Sequence, residues 1–219
     1  MNGIFAINKP INWTSNDVVQ KIKKSLHFKK VGHGGTLDPL ATGVLVIAIN
    51  EATKLLSYHL NDIKEYDCEI LFGIETDTFD LEGKITNQCE TKNINLIAIE
   101  KILKQWKKQY LQTPPLYSAI KVKGKPLYKY ARQKKEIQVQ PRNVKLLNYQ
   151  IISFKENLLK LKIKVSKGFY VRSLAHDLGQ ALNSCATLNK LVRTRSGDFY
   201  LSNAYDLNEF IENYYSINS

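Results

Sequence analysis

Segments in which apolar and polar residues alternate constrain the fold of this chain most strongly. In residues 158–166, leucine, isoleucine and valine alternate with lysine, and residues 64–73, "KEYDCEILFG", alternate in the same way. Successive side chains of a β-strand point to opposite faces, so each segment predicts a strand with one buried face. Residues 143–154 resemble a further strand that ends shortly before 158–166, which indicates an antiparallel hairpin rather than a strand–helix–strand unit.

Helical signals are interspersed with these strands. Thr14 and Asp17 have the spacing of a capping box, and Val18, Ile22 and Leu26 lie on one face of the helix that follows. The same reasoning predicts helices at 51–60, 94–106, 126–135, 171–182 and 206–215, and strands at 3–8, 44–49, 117–124 and 191–201. We therefore predict an α+β protein with a mixed, mostly antiparallel sheet flanked by helices and loops.

The charge of the chain points to a polyanionic partner. The net charge is +12 over 219 residues, and residues 101–145 hold thirteen lysines or arginines against one acid, Glu136. Such an excess predicts a surface for RNA or DNA, although a lysine-rich solvated face would have the same composition. A basic membrane-binding helix is disfavoured, because prolines and a glycine interrupt the stretch at Pro114, Pro115, Gly124 and Pro126.

Length, apolar runs and cysteines restrict the class of protein further. A chain of 219 residues suits one domain, and no apolar run approaches the roughly 20 residues of a membrane span. Residues 1–12 lack a secretory signal pattern. Three cysteines, Cys68, Cys89 and Cys185, are far apart in the sequence, which predicts neither a disulfide framework nor a zinc site and fits a reducing cytoplasm.

A glycine-rich segment, "GHGGTLDPLATG" at 32–43, directly precedes the apolar run Val44–Ile49. It fails the template of a phosphate-binding P-loop, because no Gly-Lys-Ser/Thr ends it and a predicted strand follows. His33 and Asp38 are too few for a metal site. From spacing alone, Asp38 is either the start of an Asp–Pro turn or a functional carboxylate, and both readings stay open.

Two other residues admit a functional reading. Tyr66 lies on the apolar face of its predicted strand, where a core tyrosine is the simpler interpretation. Arg172 lies near the N-terminus of a predicted helix, where a cation is disfavoured by the helix dipole, so we expect it to have a carboxylate or phosphate partner.

Six ordered motifs give the chain a specific resemblance to a known family. They are "NKPINWTSND" (8–17), "GHGGTLDPLATGVLVIAINEATKL" (32–55), "KEYDCEILFGIETDTFDLEG" (64–83), "TPPLYSAIKVKGKPLYKYAR" (113–132), "SKGFYVRSLAHDLG" (166–179) and "LVRTRSGDF" (191–199). In these motifs the chain resembles the TruB family of tRNA pseudouridine synthases from about residue 2 to about residue 213. The resemblance implies the pseudouridine synthase fold, with residues 1–219 as a single catalytic domain.

The resemblance also implies a role for each matched position. Asp38 corresponds to the family's catalytic aspartate, and Tyr66 to the tyrosine that stacks on the target base. Arg172 corresponds to the arginine that pairs with the catalytic carboxylate, and Tyr170 packs beside it at the site. Three further matches are His33, which enters the space left by the flipped nucleotide, Leu191, an apolar contact to the base, and Lys9, with a supporting role.

Two substitutions and a missing extension depart from the family pattern. Gly34 replaces a usual threonine, which would loosen the loop, and Asn12 replaces a usual glycine. Relatives commonly continue into a PUA-type RNA-binding domain, whereas only some twenty residues follow "SGDF" here, so we expect no such C-terminal domain. Affinity for tRNA would then depend on the basic surface of the catalytic domain.

The implied reaction converts uridine 55 in the T loop of tRNA to pseudouridine. The base is detached from the ribose, turned and rejoined through carbon, so we expect no cofactor and no metal. Asp38 must be ionised to act, but whether it attacks the sugar, attacks the pyrimidine or only removes a proton stays open. We further expect a cytoplasmic monomer that binds the tRNA T-arm and needs neither a membrane nor an obligatory protein partner.

Two other classes of protein remain as alternatives. A non-catalytic RNA-binding or tRNA-folding protein would share the basic surface, but binding alone does not require a carboxylate that faces RNA phosphates. An enzyme that handles phosphate through the glycine-rich loop is disfavoured by the missing lysine after the glycines.

Overall fold

The fold is known from a computed structural model that describes residues 2–59, 62–122, 124–133 and 137–217. Two compact units interleave along the chain. The first unit comprises Met1–Asp67, Lys164–Lys167 and Lys190–Ser219, and the second comprises Cys68–Ile163 and Gly168–Asn189. The prediction of one catalytic domain over residues 1–219 stays a prediction.

The first unit contains a sheet in which β13, β3, β1 and β15 are neighbours in that order, with β2 beside β3 and β14 beside β13. Its strands and helices are β1 (Gly3–Lys9), α1 (Ser15–Ser25), β2 (Val31–His33), β3 (Thr42–Ile49), α2 (Leu56–His59), β14 (Phe199–Tyr200), β15 (Tyr205–Asp206) and α6 (Leu207–Ile217). Strands β4 (Lys64–Phe72), β12 (Leu158–Val165) and β13 (Ala186–Ser196) each belong partly to this unit and partly to the other.

The second unit contains the strand order β11, β12, β4 and three separate two-stranded ladders. Its own elements are β5 (Ile74–Thr76), β6 (Ile85–Gln88), α3 (Leu96–Lys108), β7 (Tyr110–Gln112), β8 (Lys121–Val122), β9 (Lys125–Pro126), α4 (Leu127–Arg132), β10 (Arg142–Val144), β11 (Leu146–Lys155) and α5 (Val171–Ala181). The ladders join β7 to β10, β5 to β6 and β8 to β9, and all three are antiparallel.

Strand β3 forms the centre of the first unit's core. All six residues from Val44 to Ile49 are fully buried, as expected for a continuous apolar run covered on both faces. Strand β1 pairs with β3 in antiparallel register over seven positions, from Gly3 opposite Ile49 to Lys9 opposite Gly43. The glycine-rich segment therefore enters a strand whose register is fixed on both sides, since β13 pairs with it in parallel at Thr42 and Gly43.

The structure confirms the predicted class and most of the predicted elements. The sheet is mixed, since β1 and β15 and also β13 and β3 pair in parallel, whereas β1 and β3, β2 and β3, and β13 and β14 are antiparallel. Helix α1 begins with the predicted capping box, because Asp17 N–H donates to Thr14 Oγ1 at 3.1 Å and Thr14 N–H to Asp17 Oδ2 at 2.8 Å. Strand β4 alternates between buried and half-buried residues along its whole length.

Four predicted elements differ from the structure. The helix predicted at 51–60 is a 3-10 helix over Asn50–Leu55 followed by the short helix α2, and its residue 60 lies outside the described part of the chain. The strand predicted at 117–124 is wrong except for Lys121–Val122, since residues 116–120 fold into turns and Tyr128 N–H donates to Ser118 O. The segment 191–201 is two antiparallel strands, because Gly197 turns the chain at a φ of 58°. The helix predicted at 126–135 ends at Arg132, and its residues 134 and 135 lie outside the described part of the chain.

The expectation about the cysteines is wrong for two of the three. Cys89 and Cys185 form a disulfide with a Cα–Cα distance of 5.7 Å, although 96 positions separate them in the sequence. Both lie beside Gly73, since Cys89 N–H donates to Gly73 O and Gly73 N–H donates to Cys185 O. Spacing along the chain could not reveal this pairing, because the fold and not the sequence separation brings the two strand ends together.

Candidate active site

The loop of residues 32–43 in the first unit holds Asp38 between two anchored neighbours. Leu37 N–H donates to Ser15 Oγ at 2.8 Å, and Ser15 Oγ–H donates to Leu37 O at 3.1 Å. On the other side, Pro39 O accepts from Asn12 N–H at 2.9 Å and from Lys9 Nζ at 3.2 Å. The half-buried Asp38 is therefore carried on a backbone whose position is set by α1 and by the end of β1.

The turn reading of Asp38 is also correct. Ala41 N–H donates to Asp38 O at 3.0 Å, as in the Asp–Pro turn that the sequence predicts. The two interpretations of this residue are compatible, because the turn uses its backbone carbonyl and not its carboxylate.

Lys9 and Asn12 support this turn from the N-terminal motif. Lys9 is fully buried, and its ammonium donates to the carbonyls of Pro10 at 2.8 Å, Trp13 at 2.6 Å and Pro39 at 3.2 Å. Asn12 has a φ of 64°, in the left-handed region that glycine favours and asparagine tolerates. The departure from glycine at this position therefore keeps the backbone shape that lets Asn12 N–H reach Pro39.

Three other predicted site residues belong to the first unit. His33 ends β2, and burial followed by the charge of Arg193 lowers the pKa of its imidazole, so it is neutral at neutral pH. Tyr66 is 9% exposed on the buried face of β4, and Leu191 is 5% exposed on β13.

Lys64 is a buried lysine that the sequence analysis did not select. It is 7% exposed, faces the same side of β4 as Tyr66, and donates from Nζ to Asp62 O at 2.9 Å. Burial, with a further contribution from the Arg193 charge, lowers the pKa of Lys64 to about 8. Its position two residues before a site tyrosine was visible in "KEY", but its burial was not.

In the second unit, Arg172 has the carboxylate partner that its position in α5 predicted. Arg172 Nε lies 3.6 Å from Asp80 Oδ2, and the two side chains are 5% and 3% exposed. The guanidinium also donates to Thr78 O at 3.1 Å and to Tyr117 O at 2.9 Å. Asp80 is a residue that sequence reasoning missed, although it lies in the quoted motif "TDTFD".

Asp80 is itself fixed by a tight turn. Its Oδ1 accepts from Thr78 Oγ1–H at 2.6 Å and from Glu82 N–H at 3.1 Å, and its carbonyl accepts from Thr76 Oγ1–H at 2.6 Å. The neighbouring Phe79 has a φ of 64° and stacks on the His176 imidazole with ring centroids 4.0 Å apart. The carboxylate that faces Arg172 is therefore held by residues on both sides of Asp80 within the turn that joins β5 to β6.

Tyr170 precedes α5 and is gripped by a second residue that sequence reasoning missed, Gln112. Tyr170 N–H donates to Gln112 Oε1 at 2.8 Å, and Gln112 Nε2 donates to Tyr170 O at 2.9 Å. Gln112 is 1% exposed and is the last residue of β7, directly before the motif "TPPLYSA". The backbone at Tyr170, and with it the start of α5, is therefore fixed by a side chain from another element.

The predicted site residues divide between the two units. His33, Asp38, Tyr66 and Leu191 belong to the first unit, and Tyr170 and Arg172 belong to the second. The pairing of Arg172 with Asp38 stays a prediction, as do the individual roles in catalysis and base binding. Within the described part of the chain, no group of three or more His, Cys, Asp and Glu residues could hold a metal ion.

The basic segment is solvent-exposed where the structure describes its side chains. Nine of its thirteen cations are exposed: Lys101, Lys104, Lys107, Lys108, Lys121, Lys125, Lys129, Arg142 and Lys145. Across the residues described, no helix is long and apolar enough to span a bilayer.

Comparisons with known proteins identify the family. A family model described as TruB family pseudouridylate synthase (N terminal domain) matches residues 23–171, and one described as tRNA pseudouridylate synthase B C-terminal domain matches residues 172–219. Together with the mixed sheet and the loop that carries Asp38, these matches define the class of the protein as pseudouridylate synthases. The chain belongs to the TruB family.

Curated relatives and solved structures agree with this class. The chain is 48% identical to tRNA pseudouridine synthase B of Ureaplasma urealyticum serovar 10, over 98% of this chain and 95% of the relative. Its identity to tRNA pseudouridine synthase B of Francisella philomiragia is 44%, over 94% of this chain and 69% of the relative.

Among solved structures, a Cbf5-Nop10-Gar1 complex matches with a TM-score of 0.76 and 29% identity over 99% of this chain. An H/ACA RNP bound to a substrate RNA matches with a TM-score of 0.73 and 26% identity. The chain spans about half the length of these two solved chains, 56% and 54%.

Proposed function

We propose that this protein converts uridine 55 in the T loop of tRNA to pseudouridine. The observation that carries the proposal is the match to tRNA pseudouridine synthase B of Ureaplasma urealyticum, which covers 98% of this chain and 95% of the relative. A match over nearly both full lengths supports transfer of the whole activity rather than of one shared module.

The chemistry needs only groups that the chain can supply. The bond between ribose C1′ and uracil N1 breaks, a bond between C1′ and uracil C5 forms, N1 gains a proton and C5 loses one. Product and substrate contain the same atoms, so the overall reaction neither consumes nor releases electrons or a transferred group, and we propose that it proceeds without a cofactor. Asp38 acts in its ionised form, as nucleophile or as base, from a half-buried turn that is anchored on both sides.

The target base must first leave the stack of its loop, which costs roughly a few kcal/mol. We assign Tyr66 to stack on the everted base, a contact worth about 1–3 kcal/mol, and Leu191 to contact its edge. His33 fills the gap that the nucleotide leaves. Its lowered pKa suits this task, because a neutral imidazole enters a stack of bases at a smaller desolvation cost than a cation.

We assign Arg172 and Tyr170 roles in the same reaction from their positions in the matched motif at 166–179. Three groups around Arg172, the Asp80 carboxylate and the carbonyls of Thr78 and Tyr117, fix its guanidinium in one orientation. A fixed cation stabilises a nearby carboxylate in its ionised form without reorganising during the reaction, which is the state that Asp38 needs.

Binding of the tRNA T-arm is assigned to the exposed cations of residues 101–145. Phosphate contacts from such a surface set affinity and register, whereas the site residues select the base. We further infer a cytoplasmic monomer in which residues 1–219 form one catalytic domain, and no obligatory protein partner. In the solved complex, Cbf5 is accompanied by Nop10 and Gar1. Light scattering of the purified chain, alone and with tRNA, tests whether this protein is a monomer.

The deciding experiment incubates unmodified tRNA with wild-type protein and with Asp38→Asn, then maps pseudouridine chemically. We expect a single modification at position 55 with wild type and none with Asp38→Asn, while Asp198→Asn, which removes an exposed carboxylate, keeps wild-type activity. Binding of tRNA without any pseudouridine in wild type would favour a non-catalytic RNA-binding protein. Full activity of Asp38→Asn would refute the assignment of Asp38 alone.

A further inference from the structure

Arg193 is the bulkiest fully buried polar residue of the first unit, and its guanidinium hydrogen-bonds to the ends of the loop that carries Asp38. It lies on β13 and is 2% exposed. Arg193 Nε donates to Val44 O at 2.7 Å, Nη2 donates to Gly35 O at 3.1 Å, and Nη1 donates to Thr36 O at 3.4 Å. Two of these carbonyls precede Asp38 in the chain and one follows it.

The guanidinium therefore bridges the two ends of the segment that carries Asp38. It links residues 35 and 36, where the loop departs, to residue 44, where β3 begins its buried run. Between these ends, Ser15 and Lys9 hold only the two neighbours of Asp38. The planar guanidinium holds its N–H donors in a rigid, spread-out fork that spans carbonyls at both ends of the loop, whereas the ammonium of lysine gathers its donors at one point.

Glycines allow the close approach that this contact needs. Gly43 lies opposite Arg193 in the parallel pair of β13 and β3, and a Cβ at Gly43 would overlap the backbone of Arg193. A Cβ at Gly35 would lie at an ordinary contact distance, 3.7 Å from Arg193 Nη1, so space alone does not require glycine there. Both glycines have positive φ, 99° and 105°, so any other residue would be strained there as well.

Burial of the Arg193 guanidinium costs desolvation free energy, which indicates that the residue has a function beyond packing. In the described part of the chain its hydrogen bonds all go to neutral backbone carbonyls, and no carboxylate lies within ion-pair distance. A buried cation without a counter-ion is disfavoured by desolvation, and an apolar residue would fill the same space at lower cost. The charge also lowers the pKa values of His33 and Lys64, in each case as the second cause after burial.

We propose that Arg193 is a positioning residue for the reaction: it fixes the ends of the Asp38 loop so that the carboxylate is held at the reacting nucleotide. This inference rests on the proposed function for its effect on rate, and on the loop contacts alone for its effect on mobility. Arg193 acts through the backbone of residues 35, 36 and 44 and is assigned no contact with the substrate.

The test compares Arg193→Lys, which keeps the charge but loses the planar fork, with the matched control Arg195→Lys. Arg195 lies on the same strand, and its guanidinium donates to Gly197 O at 2.6 Å and Glu65 Oε1 at 3.1 Å, away from the loop. Each variant is measured for single-turnover pseudouridine formation, for tRNA affinity and for amide hydrogen exchange in the peptide that spans residues 34–43. Arg193→Met provides a second variant of similar length without the charge.

We expect Arg193→Lys and Arg193→Met to melt cooperatively, to exchange the loop amides faster, and to lose about tenfold to a hundredfold in single-turnover rate. Affinity for tRNA should stay within about threefold, because phosphate contacts elsewhere dominate it. A rate close to wild type, or a rate loss with unchanged loop exchange, would overturn the proposal. If the wild-type protein forms no pseudouridine, the proposed function is refuted. Faster loop exchange in the Arg193 variants would in that case still show that Arg193 positions the loop.

Discussion

At the scale of single residues, Arg172 is oriented before any substrate binds. Its Nε faces the Asp80 carboxylate, and its two terminal nitrogens donate to the carbonyls of Thr78 and Tyr117. Asp80 in turn accepts from Thr78 and from the Glu82 amide. The orientation of the proposed catalytic arginine is therefore set by the hairpin that joins β5 and β6.

Asp80→Asn should separate this orientation from simple folding. The amide keeps the size of the side chain and one acceptor oxygen but removes the charge, and breaking a buried pair typically costs about 3–5 kcal/mol. We expect a lower melting temperature, a loss of about tenfold or more in single-turnover rate, and little change in tRNA affinity. Asp77→Asn, an exposed neighbour in the same turn, serves as the control. A wild-type rate in Asp80→Asn would contradict the role assigned to this pair.

Lys64 predicts how stability depends on pH. Its pKa falls to about 8 in the folded protein from 10.5 in the unfolded chain, so between these values the unfolded chain binds more protons. The free energy of unfolding should therefore rise with pH from about 8 to about 10.5, with this residue contributing up to roughly 1.4 kcal/mol per pH unit. Denaturant titrations at pH 7, 8, 9 and 10 measure the slope.

Lys64→Met removes the titrating group and should flatten that rise, while Lys21→Met on the exposed face of α1 should leave it unchanged. An equal slope in Lys64→Met and wild type would show that the rise comes from another group.

At this scale the structure confirms one prediction from the sequence, since Arg172 has a carboxylate partner. The catalytic roles that motif and position assign to Asp38, Tyr66 and Arg172 stay predictions. Gln112 and Arg193 were not found, because their importance comes from hydrogen bonds to backbone atoms that are distant in the sequence. Asp80 was not found, because its importance comes from an ion pair with Arg172, which is also distant in the sequence. A motif records which residues occur, but not which carbonyls they reach.

At the scale of elements, local patterns were sufficient wherever one face is buried. Strand β4 and helix α1 follow from alternation and from a capping box. The strand predicted at 117–124 was wrong because residues 116–119 form bends and the chain turns back at Gly124, which has a φ of 79°, to pair Val122 with Lys125. The Cys89–Cys185 disulfide was not predicted, because it joins the end of β6 to the start of β13, a contact that only the fold creates.

That link predicts a redox-dependent stability. A bridge across 96 positions restricts the unfolded chain by about 4–5 kcal/mol in the chain-entropy account. We expect reductant to lower the melting temperature of air-oxidised protein by on the order of 10 °C. Cys89→Ser should melt at the lower temperature with or without reductant, whereas Cys68→Ala should keep the difference, since Cys68 is a free buried thiol. If the melting temperature of the wild-type protein is the same with and without reductant, the disulfide does not form in solution.

At the scale of the whole molecule, the excess of positive charge is local. Residues 101–145 hold thirteen of the 32 lysines and arginines. The structure describes the side chains of nine of these thirteen, and all nine are exposed. Cations in contact with phosphates release condensed counterions, so the logarithm of the tRNA association constant should fall linearly with the logarithm of salt concentration. A solvated face that does not touch RNA would leave that slope unaffected when its charges are removed.

The salt series therefore decides between the two readings of this segment. Each phosphate contact that is lost should reduce the magnitude of the slope by about 0.7–0.9. We expect the double variant Lys101→Ala/Lys108→Ala, on the exposed face of α3, to weaken binding at low salt and to lower the slope by between one and two. The matched pair Lys21→Ala/Lys24→Ala removes the same charge from α1 and should change affinity only slightly. Equal slopes for both pairs would mean that net charge alone attracts tRNA and that the 101–145 segment is no specific docking surface, since a long-range field does not depend on which lysines supply it.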